Sequence, residues 1–594
     1  YMIITKTNFI NYTRCNRYLY LNGNDLKTDI TYEEYKIEEL NNEAKELLNK
    51  DSSLDALNIM NKYYKQVEEE VYKYVLTKFD GDTVYSLDTL NQKCFSFYDK
   101  DNNIKYICYI DVYNKNKDTV NIIEVKATTK EKYTSLYYGE RCDIKFPLFV
   151  KQDFIYKVCP CVSSNLKIKE SYDKQIEKLL DRNSDVGRYI YDLSVQRYFI
   201  EKKSSNLKFN YYLAVLNNDY VYDGYKDENG NCYHTVNGED LVTLIKLNDI
   251  TEMYQDIIKK EDDILKFNLL NKDYDTTFKA SFYCMLGDTL ECPFKSICYK
   301  DIPDSNACYD YLNFRSFKDE NGNTLNKYDL VNLGYKTIGD VPKTYLKNKN
   351  HLIQRDCYDN NTIYIDKERI KAFLNNIKYP IYHLDFETFP SPLPRFYGER
   401  CYTQSCFEAS LHIEREPSLC DKEKDNYIFL ASSLEDERLE LVKFLVEHIK
   451  PDGTLMAQNV SFEMGRLYEL ANIFTDYKEE LLAIRSCGYD LLYILKNNAK
   501  IEKDLGFKES SCVNYYNNLQ SGSYSIKKTL PLFTNMSYKD LEIKNGTEAY
   551  ISYISYEDVS KEEKEVIRKN LKIYCSQDTY AMVEILRGLR KLVK

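Results

Sequence analysis

The stretch IYHLDFETF, Ile381 to Phe389, constrains this chain more than any other. It opens as an apolar run, Ile381-Tyr382-His383-Leu384, and then sets Asp385 and Glu387 two residues apart. Alternate side chains of a β-strand share a face, so both carboxylates project together from the end of a buried strand. Two adjacent anions repel, and the pair is costly unless a cation lies between them. Hard divalent cations with oxygen ligands, Mg²⁺ or Mn²⁺, suit that position. Taken alone, an Asp-x-Glu is more often a strand edge carrying two solvated acids; the remaining motifs decide between the two readings.

A chain of 594 residues exceeds what one core can organise and predicts two large domains with a small third. The net charge of −11 excludes a histone-like electrostatic binder but leaves room for an acidic metal site beside local basic patches. No apolar run approaches the roughly 18 residues that span a bilayer. The start YMIITKTNFINYTRC lacks a basic segment followed by an apolar core, so neither a membrane span nor a signal peptide is expected. With that, the 18 Cys predict thiols in a reducing, cytoplasmic compartment, some of them metal ligands.

In the N-terminal half, Asn8 to Tyr20 predicts a short helix carrying Cys15, and Leu40 to Lys78 a charged helix with the solvated run Glu68-Glu69-Glu70. IKYICYIDVYNKNKDTVNIIEVKATT, Ile104 to Thr129, predicts a hairpin: two runs rich in Ile, Val and Tyr flank a polar turn. Asp111 lies near the end of the first strand, and Glu124 and Lys126 share a face of the second. Antiparallel pairing brings Asp, Glu and Lys to one point. Such a trio suits metal-assisted phosphodiester cleavage: carboxylates hold Mg²⁺, and the Lys stabilises charge developing on phosphate. A surface cross-strand salt bridge is the plainer alternative.

Asp111 followed by Glu124-x-Lys126 resembles the PD-(D/E)XK nuclease core of the RecB and Cas4-like branch. The resemblance implies a Gln on a following helix, matched by Gln196 in YDLSVQRYF, and an acid on the preceding helix, for which Glu69 and Glu70 are the candidates. It also implies one Cys before the core and three after it, holding a [4Fe-4S] cluster. Cys15 in TRCNRYLYL and Cys284, Cys292 and Cys298 in SFYCMLGDTLECPFKSICYK match that order, with C-x7-C where the family is often tighter. Four thiolates suit an iron–sulfur cluster or tetrahedral Zn²⁺, and unligated thiols remain the third reading. Cys159-Pro160-Cys161 is read as structural.

Residues 306–375 read as a small helical linker. DENGN at Asp319 to Asn323 predicts a turn, and LVNLGYKTIGDVPKTYL, Leu330 to Leu346, predicts helix, Gly turn, helix. That unit is either a plain linker or a helix-hairpin-helix-like backbone binder. Beyond Glu387, Cys401 to Glu414 predicts the neighbouring antiparallel strand, Leu439 to Ile449 a helix, and Thr454 to Ala457 a strand ending at Asn459, with Glu463 starting a helix. A final helix from about Lys561 to Val593 places Tyr574 and Asp578 on one face.

Asp385-x-Glu387, Asn459-x3-Glu463 and Tyr574-x3-Asp578, in that order, resemble the motifs of DnaQ-like, DEDDy-type 3′–5′ exonucleases. That family uses four acids to bind two divalent metals, with the Tyr orienting water. It normally has Asp where this chain has Glu463. HLDFETF, SGSYSIKKTLPLF (Ser521 to Phe533) and YKDLEIKNGTEAY (Tyr538 to Tyr550) are similar to a bacterial family that fuses a Cas4-like region to such an exonuclease domain. Gly522 and Lys527 are expected near substrate or in a structural hairpin. The resemblance implies an α/β protein: a restriction-endonuclease-like nuclease domain over 1–305, a linker over 306–375, and an RNase H-like exonuclease domain with a central mixed sheet over 376–594. Implied ligands are Asp111, Glu124, Asp385, Glu387, Glu463 and Asp578 for Mg²⁺ or Mn²⁺, with Lys126, Gln196 and Tyr574 assisting. The implied partner is nucleic acid, single-stranded DNA or DNA ends, bound by backbone and by stacking on Tyr. A non-catalytic nucleic-acid-binding scaffold and an RNase using the same site are the alternatives; nothing in the sequence names a protein partner.

Overall fold

Side-chain alternation along Thr119–Thr129 divides the first set of strands between two cores. Val120 and Ile122 pack into one cluster, with Ile190, Leu193 and Leu213. Ile123 and Val125 pack into the other, with Val67, Val71 and Val75. A strand buried on both faces reads as a nearly continuous apolar run. The computed structural model that establishes this describes residues 2–22, 54–86, 92–140, 145–203, 206–228, 230–272, 276–286, 290–508 and 512–594. It is mixed α/β and divides into two bodies: Tyr1–Phe278 with Phe282–Phe294 and Pro390–Thr403, and Lys279–Ser281 with Lys295–Phe389 and Gln404–Lys594.

The first body begins with β1 (Met2–Thr5), α1 (Lys6–Arg14), α2 (Asn16–Asn22) and α3 (Leu54–Lys78). Then follow β2 (Asp82–Val84), β3 (Lys93–Asp99), β4 (Ile104–Ile110), β5 (Val112–Asn116) and β6 (Thr119–Thr129). β7 (Phe149–Gln152), β8 (Ile155–Val158), α4 (Gly187–Glu201), β9 (Lys208–Leu216) and β10 (Val242–Lys246) complete what positions the site. The seven-stranded sheet has the order β2-β5-β6-β9-β10-β8-β7. β5 and β6 pair antiparallel, Val112 opposite Ile123, and β6 runs parallel to β9. The expected hairpin exists, with a refinement at Asp111. There the first run leaves one sheet for another, because β4 pairs with β1 and β3 while β5 pairs with β6.

One expectation needs correction here, and another lies partly outside the described residues. The helix expected from Asn8 to Tyr20 is two helices, broken at Cys15, whose backbone is extended (φ −160°, ψ 122°). The helix expected from Leu40 is described from Leu54, its earlier part lying outside the described residues.

In the second body, α5 (Lys327–Asn332) and β11 (Ile363–Ile365) precede β12 (Ile381–Pro390), β13 (Gln404–Glu414) and β14 (Asn426–Leu430). Next come α6 (Arg438–His448), β15 (Thr454–Ala457), α7 (Ser461–Ile473), β16 (Gly488–Asp490), β17 (Tyr515–Asn517) and α8 (Lys561–Leu592). The sheet order is β14-β13-β12-β15-β16, with β12, β15 and β16 mutually parallel. Tyr382, Leu384 and Phe386 enter a core with Leu441, Leu445 and Leu467 from α6 and α7. The intervening His383, Asp385 and Glu387 therefore face the other side of the sheet, where α8 lies against β13. Ser560 begins α8 with a capping box closed by Glu563, which satisfies two otherwise orphaned N–H groups.

The segment expected as a separate linker is built into this body. β11 pairs with β17, Ile363 opposite Asn517, and Ser521 Oγ donates to Asp310 Oδ2 at 3.0 Å. Its expected helix–turn–helix is only half formed. α5 ends at Asn332, just before Gly334 (φ +87°), and beyond it stands a single 3₁₀ turn, Lys343–Tyr345, led by Pro342. Among the described residues no helix is long and apolar enough to cross a membrane.

Candidate functional site

In the first body the structure gathers Glu124, Lys126 and Gln196 as the sequence predicts, and adds two residues that it did not single out. Glu124 is fully buried on β6. Its Oε1 faces Lys6 Nζ at 2.7 Å and Lys126 Nζ at 3.0 Å, and Gln196 Nε2 donates to its Oε2 at 3.0 Å. Asp192, one helical turn before Gln196 on α4, closes a square: Lys6 lies 3.2 Å and Lys126 2.8 Å from its carboxylate. Asp111 Oδ2 accepts the Val125 N–H at 2.9 Å. Two ammonium groups thus bridge two carboxylates, and one of them, Lys6, is at 1% exposure. Glu69 and Glu70 do not join this group; both pair with Lys73, at 3.1 and 2.8 Å. Asp192 was legible as the i−4 neighbour of Gln196, whereas Lys6 had no signal beyond its place ahead of Cys15.

Cys15, Cys284 and Cys292 belong to the first body and Cys298 to the second. Burial pushes the Cys292 thiol up, with the charge of Arg14 opposing and those of Cys284 and Cys15 adding. Arg14 Nη2 lies 3.8 Å from Cys292 Sγ.

The second body assembles the other predicted set. Asp385 and Glu387 project from β12 beyond the stretch that pairs with β15, Glu463 stands in the first turn of α7, and Tyr574 and Asp578 come from α8. Glu387, Glu463, Tyr574 and Asp578 are all buried. Burial raises the Asp385 and Glu387 carboxyls well above their ordinary range, and Asp578 and Glu463 act on both as further like charges. Burial pushes Asp578 up to about 6, opposed by hydrogen bonds from Tyr538 and Tyr574 and by the Lys527 charge. Burial also pushes Glu463 up to about 8, with Asp490 adding to the shift. Glu463 Oε2 has no hydrogen-bond partner. Three buried carboxylates and the half-buried Asp385, without a buried counter-cation among the described residues, match the donor set of hard divalent ions. The longer Glu463 side chain, where the resembled family has Asp, still brings its charge onto Asp385 and Glu387.

The turn that carries Glu463 is held from an unpredicted side. Asn459 adopts φ +66°, a conformation Asn tolerates better than most residues. Asp490, at the end of β16, accepts the N–H groups of Asn459 (3.0 Å), Val460 (3.1 Å) and Leu492 (2.9 Å). Tyr538, the other missed residue, donates its hydroxyl to Asp578 Oδ1 at 2.5 Å. Asp385 and Asp578 open into a cleft of about 590 Å³ whose lining also includes Asn459, Gly522, Tyr524 and Tyr574. Gly522 belongs there because no side chain fits: its φ is +73° and a Cβ would meet the Asp310 carbonyl oxygen at 2.0 Å. Lys527 is exposed, its Nζ 5.9 Å from the Tyr538 ring centre.

Comparison with known proteins adds no established activity. A family model described as a domain of unknown function, DUF2779, matches residues 382–525, which include Asp385, Glu387 and Glu463 and stop short of Asp578. A Mycoplasma genitalium protein, "Uncharacterized protein MG366", is 27% identical over 245 residues, covering 38% of this chain. The match takes in 34% of that relative, so the chain spans about a third of its length.

Proposed function

We propose that this chain is a metal-dependent nuclease whose working centre lies in the second body, on an RNase H-like scaffold. Its substrate would be single-stranded DNA or DNA ends, trimmed from the 3′ side. The observation that carries this reading is the convergence of half-buried Asp385 with buried Glu387, Glu463 and Asp578, without a buried counter-cation among the described residues, beside a cleft that Asp385 and Asp578 line. Held by these four, two divalent cations of the Mg²⁺ or Mn²⁺ class would supply the Lewis acid and the activated water for phosphodiester hydrolysis. The chain's own groups do the rest. Tyr538 and Tyr574 steady Asp578 through their hydroxyls, and Tyr574 also faces the cleft, where it can orient water. Lys527, exposed beside the acids, meets phosphate without quenching them.

For the first body the reading is a restriction-endonuclease-like fold. Glu124 there already carries two ammonium groups and an amide, so a metal at that carboxylate would displace Lys6 or Lys126.

The test is degradation of 5′-labelled and 3′-labelled single-stranded DNA and RNA with Mn²⁺. Wild type is expected to shorten the 5′-labelled DNA progressively and to release the 3′ label first. Asp385→Ala should slow this by more than about 100-fold, the upper end of what removing a ligand's supporting hydrogen bond costs. Intact strands with wild type, or equal cutting by Asp385→Ala, refute the reading; faster loss of RNA would reassign the substrate.

A further inference from the structure

Two buried groups beside the acid centre are used by neither the proposed chemistry nor any ion pair. Cys575 follows Tyr574 on α8 and has no exposed surface. Its Sγ lies 3.8 Å from Asp385 Oδ2. One ligand atom each from Asp385, Glu387 and Cys575 lies within 4.8 Å of the others, and among the described residues this is the group of His, Cys, Asp and Glu so arranged. A sulfur and an oxygen bound to one tetrahedral cation, at about 2.3 and 2.1 Å, stand about 3.6 Å apart. The observed spacing is close to that edge.

The second observation is independent of the cysteine. Glu408 on β13 has no exposed surface, and both of its carboxylate oxygens are buried without a hydrogen-bond partner. Such a group is expensive unless something else arrives to satisfy it. Its charge acts on Glu387 and Cys575, and that of Asp578 acts on it; Ser410 and His412, on the same face of β13, bond Thr579 of α8, which places Glu408 on the α8 side. Arg568 and Lys572, the cations nearest in effect, temper Glu408 without bonding to it.

We propose that Cys575, with Glu408 behind it, turns one cation position of this centre into a mixed sulfur–oxygen site that takes Zn²⁺ or Co²⁺ in preference to Mg²⁺. Thiolate is a soft donor that Mg²⁺ does not seek, whereas these two ions accept it beside carboxylates. On binding, the thiol proton leaves to solvent as the sulfur–metal bond forms. Glu408 then supplies the negative charge that offsets the cation, as a ligand or from just beyond one. The proposal rests on the acid centre holding metal, and its test is separable from that centre's activity.

The experiment uses the full chain, stripped with chelator and titrated with Co²⁺. The wild type is expected to develop a near-ultraviolet sulfur-to-cobalt charge-transfer band along with the visible ligand-field bands. Cys575→Ser should lose the near-ultraviolet band and keep cobalt on the carboxylates. Glu408→Gln, which preserves volume, should weaken Co²⁺ binding by about 10–100-fold, the usual cost of losing a supporting partner. Excess Mg²⁺ should leave the wild-type band in place, and Zn²⁺ should erase it. An unchanged band in Cys575→Ser assigns the thiolate to another cysteine and overturns the proposal. Cobalt bound without the band, or displaced as readily by Mg²⁺, overturns it too, as does no binding at all. Should Cys575→Ser fail to fold by circular dichroism, Cys575→Ala takes its place under the same criteria. A band without DNA degradation would sink the nuclease reading alone; degradation without the band would sink this one alone.

Discussion

Glu463 gives the sharpest test of the acid centre, because its replacement by Gln removes one charge and little volume. In the metal-free protein burial lifts this carboxyl from its usual 4.5 to about 8. A carboxyl whose folded pKa lies above its unfolded value stabilises the fold while it is protonated. That stability is complete below about pH 4.5 and drains away as the pH rises through 8. At about 1.4 kcal/mol per pH unit, the full loss comes to roughly 5 kcal/mol. Denaturant unfolding of the chelator-treated protein at pH 5 and at pH 9 measures it. Wild type should lose several kcal/mol more than Glu463→Gln between the two. Adding Mn²⁺ at pH 8 should restore the wild type by about 2.7 kcal/mol at a concentration 100 times the dissociation constant, and should restore the variant by less. If the two proteins weaken in parallel from pH 5 to pH 9, Glu463 is not the strained acid described here, and its place among the metal ligands falls with it.

Two further substitutions probe the rest of the framework. Lys6→Met should destabilise the first body by roughly 3–5 kcal/mol in denaturant unfolding, the usual cost of leaving a buried charge with a missing partner; a loss under about 1 kcal/mol would mean that Lys126 and Gln196 alone satisfy Glu124. Gly522→Ala should cost at least about 1–2 kcal/mol from its left-handed backbone alone, with the Cβ contact at the Asp310 carbonyl adding to that. A thermal midpoint equal to wild type would refute the close approach.

Much of the second body was legible because local rules carry far in strands and helices. Alternation over Ile381–Phe389 put Asp385 and Glu387 on one face before any partner was known. Helical spacing placed Tyr574 with Asp578, and Thr454–Ala457 was delimited residue for residue. The hairpin at Asp111 was readable for the same reason, and so was the face shared by Glu124 and Lys126. What the sequence by itself determined is therefore which acids stand together along each element.

Only the tertiary structure decided what stands opposite them. Lys6 and Glu124 are 118 positions apart, and Tyr538 and Asp578 are 40 apart. No period reaches across such distances, because the contact depends on which sheet face a distant helix covers. The same holds for Glu408, whose lack of a hydrogen-bond partner is a property of packing around β13 and invisible in its own neighbourhood. It holds for residues 306–375, which look like a linker by composition and become part of a body through the pairing of Ile363–Ile365 with Tyr515–Asn517. Periodicity fixes the direction of a side chain along its own element, whereas burial, charge and metal affinity are set by the elements that close over it.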